Sequence, residues 1–353
     1  MGKGSFDQTS YQAAAAQLED TGQTFARSQT ASQTGNYSDI AESLDPRMLK
    51  NGQRECCFAS GFDNATPVVV SIDGTASMDQ VPYLLQAGLP EIISLLTGQG
   101  VSDHPNIMFM CHDDEHAVGP DAAFQMSQFE TEADKLLTSL NELIIPHNGG
   151  GNKGEAYHLS IYAAAYHTRL ECFERDPSEK GFFFLIGDEE PYYHAADPAT
   201  HGTTPEIAKE VFGDTIEATV TMLESLKKLA ERYHVYVIRP GHTSHGTDQG
   251  IKRIWQDLFR KAGIDAEHVI EIKETEAIVP TISILVGGVL GADHGEMVDV
   301  LRAKGTQGID SAASATLAIV PVGAAGGKST GKASTALATT ASGATATGRA
   351  RRS

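Results

Sequence analysis

The chain has 353 residues, of which 41% are hydrophobic, and a formal net charge of −19 at pH 7. This length allows one large or two modest domains, and the acidity disfavours nucleic acid and anionic membranes as main partners. The four cysteines show no Cys-x-x-Cys spacing, which argues against a zinc ribbon or a disulfide scaffold. No apolar signal segment or membrane-spanning run is evident, so we expect a cytoplasmic protein.

Composition divides the chain into three segments. Residues 1–53 are rich in Gln, Ser, Thr, Ala and Gly, and we expect a flexible N-terminal arm, or a belt lying on the core, with one short helix around Tyr11–Glu19. Residues 54–306 carry a regular pattern typical of an α/β domain. Residues 307–353 are mostly Ala, Gly, Ser and Thr, and we expect a disordered tail.

Within residues 54–306, apolar runs that suit strands alternate with amphipathic runs that suit helices. The predicted strands are Val68–Ile72, Asn106–Cys111, Gly181–Ile186, Val235–Arg239 and His268–Ile272. The predicted helices are about Val81–Thr97, Thr131–Leu143, Gly154–Glu171, Thr215–Tyr233, Asp248–Ala262 and Thr281–Ala303. This alternation predicts a three-layer, doubly wound, Rossmann-like α/β fold with helices flanking a mostly parallel sheet. We interpret a short segment between Val118 and Phe129 as one antiparallel edge strand.

Polar residues follow the ends of the predicted strands. Asp73, Thr75 and Ser77 come after the first strand, and Asp188 comes after the third. Ligands of parallel α/β sheets bind beyond the carboxyl ends of the strands, so we expect these side chains to lie together. Such hard oxygen donors suit a small divalent cation, Mg²⁺ first, with Mn²⁺ and Ca²⁺ as alternatives. The competing interpretation is that they only cap free backbone groups where a helix begins.

Other polar residues at the same edge are expected on the rim of the site: Asp113, Glu189, His242 and His245. We interpret the segment His112–His116 as a solvated acidic loop near the site and not as a zinc site. A zinc motif on a helix has a glutamate beside its first histidine, and Asp113 occupies that place here.

The order of these motifs, over about residues 66–304, resembles the von Willebrand factor A (vWA) family, including its bacterial and phage intracellular members. That family has a metal-ion-dependent adhesion site (MIDAS), in which Asp-x-Ser-x-Ser is joined by a Thr from a second loop and an Asp from a third. Asp73, Thr75 and Ser77 match the first element, and Asp188 matches the third-loop Asp. Where the family has its second-loop Thr, this chain has Gly151 followed by Asn152. The resemblance therefore leaves either of these residues, or a water, as the contributor from that loop.

The resemblance implies a Mg²⁺-dependent protein–protein interaction module in which an Asp or Glu of the partner completes the metal's coordination. It suggests a MoxR-type AAA+ ATPase or a larger bacterial or phage assembly as the partner, and no catalytic residue. A metal-dependent hydrolase or phosphatase is the enzymatic alternative, which Thr75 disfavours because related phosphoryl-transfer folds carry a second Asp there. A structural subunit of a particle is the third hypothesis, because terminal arms can order on assembly.

Overall fold

A mostly parallel sheet forms the centre of this mixed α/β protein. A computed structural model describes residues 6–58, 65–98, 100–120, 122–146, 155–191 and 201–320, apart from the side chains of His116 and Ala117. The strands are β1 Arg54–Cys56, β2 Thr66–Asp73, β3 Pro105–His112, β4 Phe124–Met126, β5 Thr168–Leu170, β6 Gly181–Ile186, β7 Gly202–Thr203, β8 Val220–Thr221, β9 Tyr233–Pro240 and β10 Val269–Ile272. The helices are α1 Gln8–Asp20, α2 Ala26–Thr34, α3 Val81–Gly98, α4 Glu115–Val118, α5 Ala133–Asn141, α6 Tyr157–Tyr166, α7 Glu171–Arg175, α8 Pro205–Ile207, α9 Met222–Arg232, α10 Gln249–Ala262, α11 Ile278–Val289, α12 His294–Ala303 and α13 Ile309–Thr316.

The central sheet has six strands in the order β10-β9-β6-β2-β3-β4. Its neighbouring strands run parallel, except that β4 pairs antiparallel with β3 at the edge. Strands β2 and β6 lie in the interior of this order, and every residue of both is buried. The five predicted strands and the antiparallel edge strand are all present in this sheet, which confirms those predictions. The parallel strands could be predicted because strands buried on both faces are continuously apolar in sequence.

Successive side chains of a strand point to opposite faces of the sheet, so alternate residues pack into two different hydrophobic clusters. Along β6, Phe182, Phe184 and Ile186 enter the first cluster, whereas Phe183 and Leu185 enter the second. Helices α1, α3, α5, α11, α12 and α13 contribute to the first cluster, and helices α6, α9 and α10 contribute to the second. Both faces of the sheet are thus covered by apolar side chains.

The described part of the N-terminal segment is packed, and the expectation of a flexible arm is wrong for it. Tyr11 and Phe25 are 2% and 1% exposed and belong to the first hydrophobic cluster. The Tyr11 hydroxyl also donates a hydrogen bond to the backbone carbonyl of Gln86 in α3, at 2.7 Å. Two buried aromatic side chains thus fix this segment as a belt, which was the alternative to a free arm.

The chain also remains structured after residue 306, where we expected disorder to begin. Helix α13 contacts α11, and its Ile309 and Ala312 join the first hydrophobic cluster. Residues 321–353 of the predicted tail lie outside the described residues.

Two predicted helices are interrupted. The one expected at Gly154–Glu171 appears as α6, which ends at Tyr166 because β5 then pairs in parallel with β1. The one expected at Thr281–Ala303 is divided into α11 and α12 around Gly291, whose φ of +97° is incompatible with a continuous helix.

Candidate metal centre

The predicted Asp-x-Thr-x-Ser motif lies at the carboxyl end of β2 and folds back on its own aspartate. Asp73 is the last residue of β2 and is fully buried. Its Oδ1 accepts hydrogen bonds from the backbone N–H of Thr75 at 2.9 Å and from Thr75 Oγ1 at 2.6 Å. Ser77 lies in the 3₁₀ turn Ala76–Met78, with its Oγ 3.4 Å from Thr75 Oγ1. The structure therefore brings the oxygen donors of the motif together.

Asp188 joins this group from the neighbouring strand. Because β6 pairs in parallel with β2, the loop after β6 lies beside the loop after β2. Ser77 Oγ donates a hydrogen bond to Asp188 Oδ1 at 2.9 Å, and the backbone N–H of His245 donates to Asp188 Oδ2 at 3.1 Å. A continuous line of oxygen atoms thus runs from Asp73 through Thr75 and Ser77 to Asp188.

A tyrosine that the sequence analysis did not select contacts the motif from α6. Tyr157 is fully buried, and its hydroxyl donates to Asp73 Oδ2 at 2.8 Å and accepts from the backbone N–H of Glu189 at 3.2 Å. Gly187 leaves room for it, because a Cβ there would lie 2.3 Å from the Tyr157 hydroxyl oxygen. The ring packs edge-on against Trp255, whose Nε1 donates to the Glu189 carbonyl at 2.9 Å.

Several buried carboxyl groups gather at this edge of the sheet. Burial, and then the charge of Asp188, raises the pKa of Asp73 to about 7. Burial, and then the charge of Asp73, raises the pKa of Asp113 to about 8 and that of Glu155 to about 11. Asp113 Oδ2 and Glu155 Oε2 are buried, and no residue in the described part of the chain hydrogen-bonds them. Burial and mutual repulsion thus make these carboxyl groups hold their protons more tightly than free carboxyl groups do, and a nearby divalent cation would favour their charged forms.

The predicted rim residues differ in how close they come to this group. His245 Nδ1 lies 2.6 Å from Glu189 Oε1, and the backbone N–H of His245 donates to Asp188, so both residues lie next to Asp188. His242 lies in the same loop after β9 but is exposed. Asp113 follows β3 and is buried close enough to Asp73 for their charges to interact.

The segment after β3 is not the solvated loop that we expected. Asp113, Asp114 and Glu115 are 1%, 0% and 7% exposed. His112 is fully buried, with its Nδ1 2.9 Å from Ser160 Oγ on α6, and burial lowers its pKa to about 3. Helix α6 covers this edge of the sheet, and the charge of the segment alone gives no sign of that packing.

A second residue that the sequence analysis passed over is Arg239, which is fully buried in β9. Its guanidinium donates to the backbone carbonyls of His245 at 2.6 Å, Asp248 at 3.1 Å and Asp188 at 3.4 Å. Arg239 therefore fixes the loop after β9 against the loop that carries Asp188. A charged residue at the end of the apolar run Val235–Ile238 is the signal that could have identified it.

The remaining predicted contributors, Gly151 and Asn152, lie outside the described residues. Among the residues that the structure describes, no group of three or more His, Cys, Asp or Glu side chains has an arrangement that could hold a metal ion. Thr75 and Ser77, as hydroxyl donors, fall outside that set of residue types. In the same described ranges, no helix has the length and apolar character needed to cross a membrane.

Comparisons with known proteins give structural similarity alone. No protein-family model matches the sequence, and no curated protein matches it. The pilus adhesin SpaC from Lactobacillus rhamnosus GG, in its open conformation, is 10% identical with a TM-score of 0.43 over 68% of this chain and 31% of its own. A second SpaC structure gives 10% identity and a TM-score of 0.44 over 68% of this chain and 32% of its own. Proximal thread matrix protein 1 from the mussel byssus is 11% identical, with a TM-score of 0.38 over 65% of this chain and 48% of its own. This chain thus spans less than half the length of each of these proteins.

Proposed function

We propose that this chain is a metal-dependent protein-interaction module of the vWA type, with the three-layer, doubly wound arrangement of that family. Asp73, Thr75, Ser77 and Asp188 hold a divalent cation, Mg²⁺ first, with Mn²⁺ and Ca²⁺ as alternatives. The observation that carries the proposal is the line of oxygen atoms that joins the ends of β2 and β6. The sheet order and the two hydrophobic clusters support the doubly wound arrangement.

The hydrogen bonds of the two hydroxyl groups support this donor set. The Thr75 hydroxyl donates a hydrogen bond to Asp73, and the Ser77 hydroxyl donates one to Asp188. Each hydroxyl oxygen therefore keeps lone pairs that can face a cation. Carboxylate and hydroxyl oxygens are hard ligands, and Mg²⁺ keeps several waters in addition to a few such ligands. The same residues can thus take up a cation without exchanging their existing partners.

A bound cation supplies a local positive charge that attracts an anionic group. The partner in our proposal is therefore a protein that offers an Asp or Glu to the metal, such as a MoxR-type AAA+ ATPase, within a cytoplasmic bacterial or phage assembly. The net charge of −19 repels such a partner at a distance. The attraction must then be short-ranged and must depend on the metal.

A matched pair of substitutions at the two ends of β2 tests this proposal. Thr75→Val removes the hydroxyl next to Asp73. Thr66→Val makes the same change at the first residue of β2, where the Thr66 hydroxyl lies 2.7 Å from the Ser102 hydroxyl. Mg²⁺ should raise the thermal unfolding midpoint of the wild type and of Thr66→Val, and should leave that of Thr75→Val unchanged. Capture of a partner from the native host should follow the same pattern and disappear with EDTA. Equal responses of the two variants to Mg²⁺ would contradict the proposed ligand set.

A further inference from the structure

The hydrogen bonds of Asp73 are divided between two sources. Both donors of Thr75 bond Oδ1, so the motif's own loop holds one carboxylate oxygen. Among the described residues, the Tyr157 hydroxyl donates a hydrogen bond to Oδ2, at 2.8 Å. A carboxylate held through one oxygen can still swing about that oxygen, whereas contacts to both oxygens fix its plane. Tyr157 is thus the group that sets the orientation of the Asp73 carboxylate.

The same hydroxyl also holds the loop that carries the second acidic donor. The backbone N–H of Glu189 belongs to the peptide bond with Asp188, and this N–H donates to the Tyr157 hydroxyl at 3.2 Å. One hydroxyl group therefore joins the residues that end β2 to those that follow β6. Through these two hydrogen bonds, helix α6 connects the loop after β2 to the loop after β6.

The position of the tyrosine is itself fixed by packing. Its ring packs edge-on against the rings of His112 and Trp255, with centroid distances of 4.8 Å and 5.4 Å. Gly187 supplies the space beside the hydroxyl, and the residue has no exposed surface. The hydroxyl cannot move away from the carboxylate without displacing one of these neighbours. Such fixed groups behind a ligand are the ones that set metal affinity.

We propose that Tyr157 is a positioning residue of the metal centre, which orients Asp73 and the loop of Asp188 for cation binding. This inference rests on the proposed function, because it assigns to Tyr157 a role in the affinity of the same site. Tyr157 touches the donor groups and not the ion, so its effect is transmitted through Asp73. A further consequence is that the site depends on α6 as well as on the loops of the sheet.

Helix α6 offers a matched control for this proposal. Tyr162 lies on the same helix, is 2% exposed, and its hydroxyl donates to Asp214 Oδ2 at 2.8 Å. Tyr157→Phe and Tyr162→Phe thus each remove one buried hydroxyl that donates to a carboxylate. Binding of Mn²⁺ is measured by electron paramagnetic resonance of the free ion, and folding is checked by thermal unfolding in EDTA.

We expect Tyr157→Phe to weaken Mn²⁺ binding by about 10- to 100-fold, as other substitutions behind metal ligands do. Tyr162→Phe should bind Mn²⁺ as the wild type does, although it too loses a hydrogen bond from a buried tyrosine hydroxyl to a carboxylate. Wild-type affinity in Tyr157→Phe would overturn the inference and leave the proposed function standing. An equal loss in both variants would also overturn it, because that loss would come from a loosened helix. If the wild type binds no Mn²⁺, the proposed function fails and this inference fails with it.

Discussion

Replacing Gly187 by alanine tests the packing that places Tyr157 against Asp73. The new Cβ would lie 2.3, 2.6 and 2.8 Å from the hydroxyl oxygen, Cε1 and Cζ of Tyr157, whereas ordinary van der Waals contact begins at 3.4 Å. The ring must therefore move by about 1 Å, although Trp255 and His112 pack against it. Overpacking of a core costs about 1–3 kcal/mol, and the strained hydrogen bond to the carboxylate adds about 1 kcal/mol or more. We expect Gly187→Ala to lower the free energy of unfolding by about 3 kcal/mol and to weaken Mn²⁺ binding.

Urea unfolding followed by circular dichroism measures this loss, and Gly98→Ala serves as the control. Gly98 ends α3, and a Cβ there would lie more than 4 Å from the atoms of the described residues that surround it in space. Gly98→Ala should therefore be neutral or stabilise the protein by up to about 1 kcal/mol. Equal unfolding free energies for Gly187→Ala and the wild type would refute the geometry at Tyr157.

Three further predictions concern pH, the N-terminal belt and the buried arginine. In EDTA, the free energy of unfolding should fall as the pH rises through about 7 and about 8, because the folded protein holds the protons of Asp73 and Asp113 more tightly than the unfolded chain does. Urea titrations across this range that show constant or rising stability would contradict the raised pKa values. Phe25→Ala should lower the free energy of unfolding by about 3–5 kcal/mol in the same assay, because Phe25 is buried. Met48→Ala, at a position that is 59% exposed, should change it little. Arg239→Met should lower the free energy of unfolding by about 2–4 kcal/mol and speed proteolysis of the loop after β9, because it removes the donor that these backbone carbonyls bond. An unchanged rate of proteolysis would contradict the role of Arg239 in holding this loop.

The strands could be predicted because a strand that is buried on both faces is a continuous apolar run in the sequence. The apolar run that ends in Asp73 is β2, and the run that ends before Gly187 is β6. The rule that ligands bind beyond the carboxyl ends of parallel strands then placed Asp73 and Asp188 next to each other. The residues that follow the carboxyl ends of the strands are therefore the part of the candidate site that can be predicted from a single sequence.

The contacts from α6 could not be predicted in the same way. The bond between Tyr157 and Asp73 joins residues 84 positions apart, and it depends on the missing Cβ of Gly187. Periodicity does not show which helix covers which strand end, so the acidic segment after β3 was interpreted as solvated although Asp114 is fully buried. The expectation of a flexible N-terminal arm was wrong for a related reason, because single buried aromatic residues such as Phe25 leave no periodic signal in the sequence.

Equilibrium binding of Mn²⁺ to the full chain tests the central claim most directly. Asp188→Asn removes a carboxylate from the centre, whereas Asp214→Asn makes the same change at a carboxylate that bonds Tyr162 and His167 instead. We predict that the wild type and Asp214→Asn bind a single Mn²⁺ that Mg²⁺ displaces, and that Asp188→Asn loses this binding while it stays folded. A wild-type protein that leaves Mn²⁺ free in solution, or an Asp188→Asn variant that binds it as tightly as the wild type, would contradict the account.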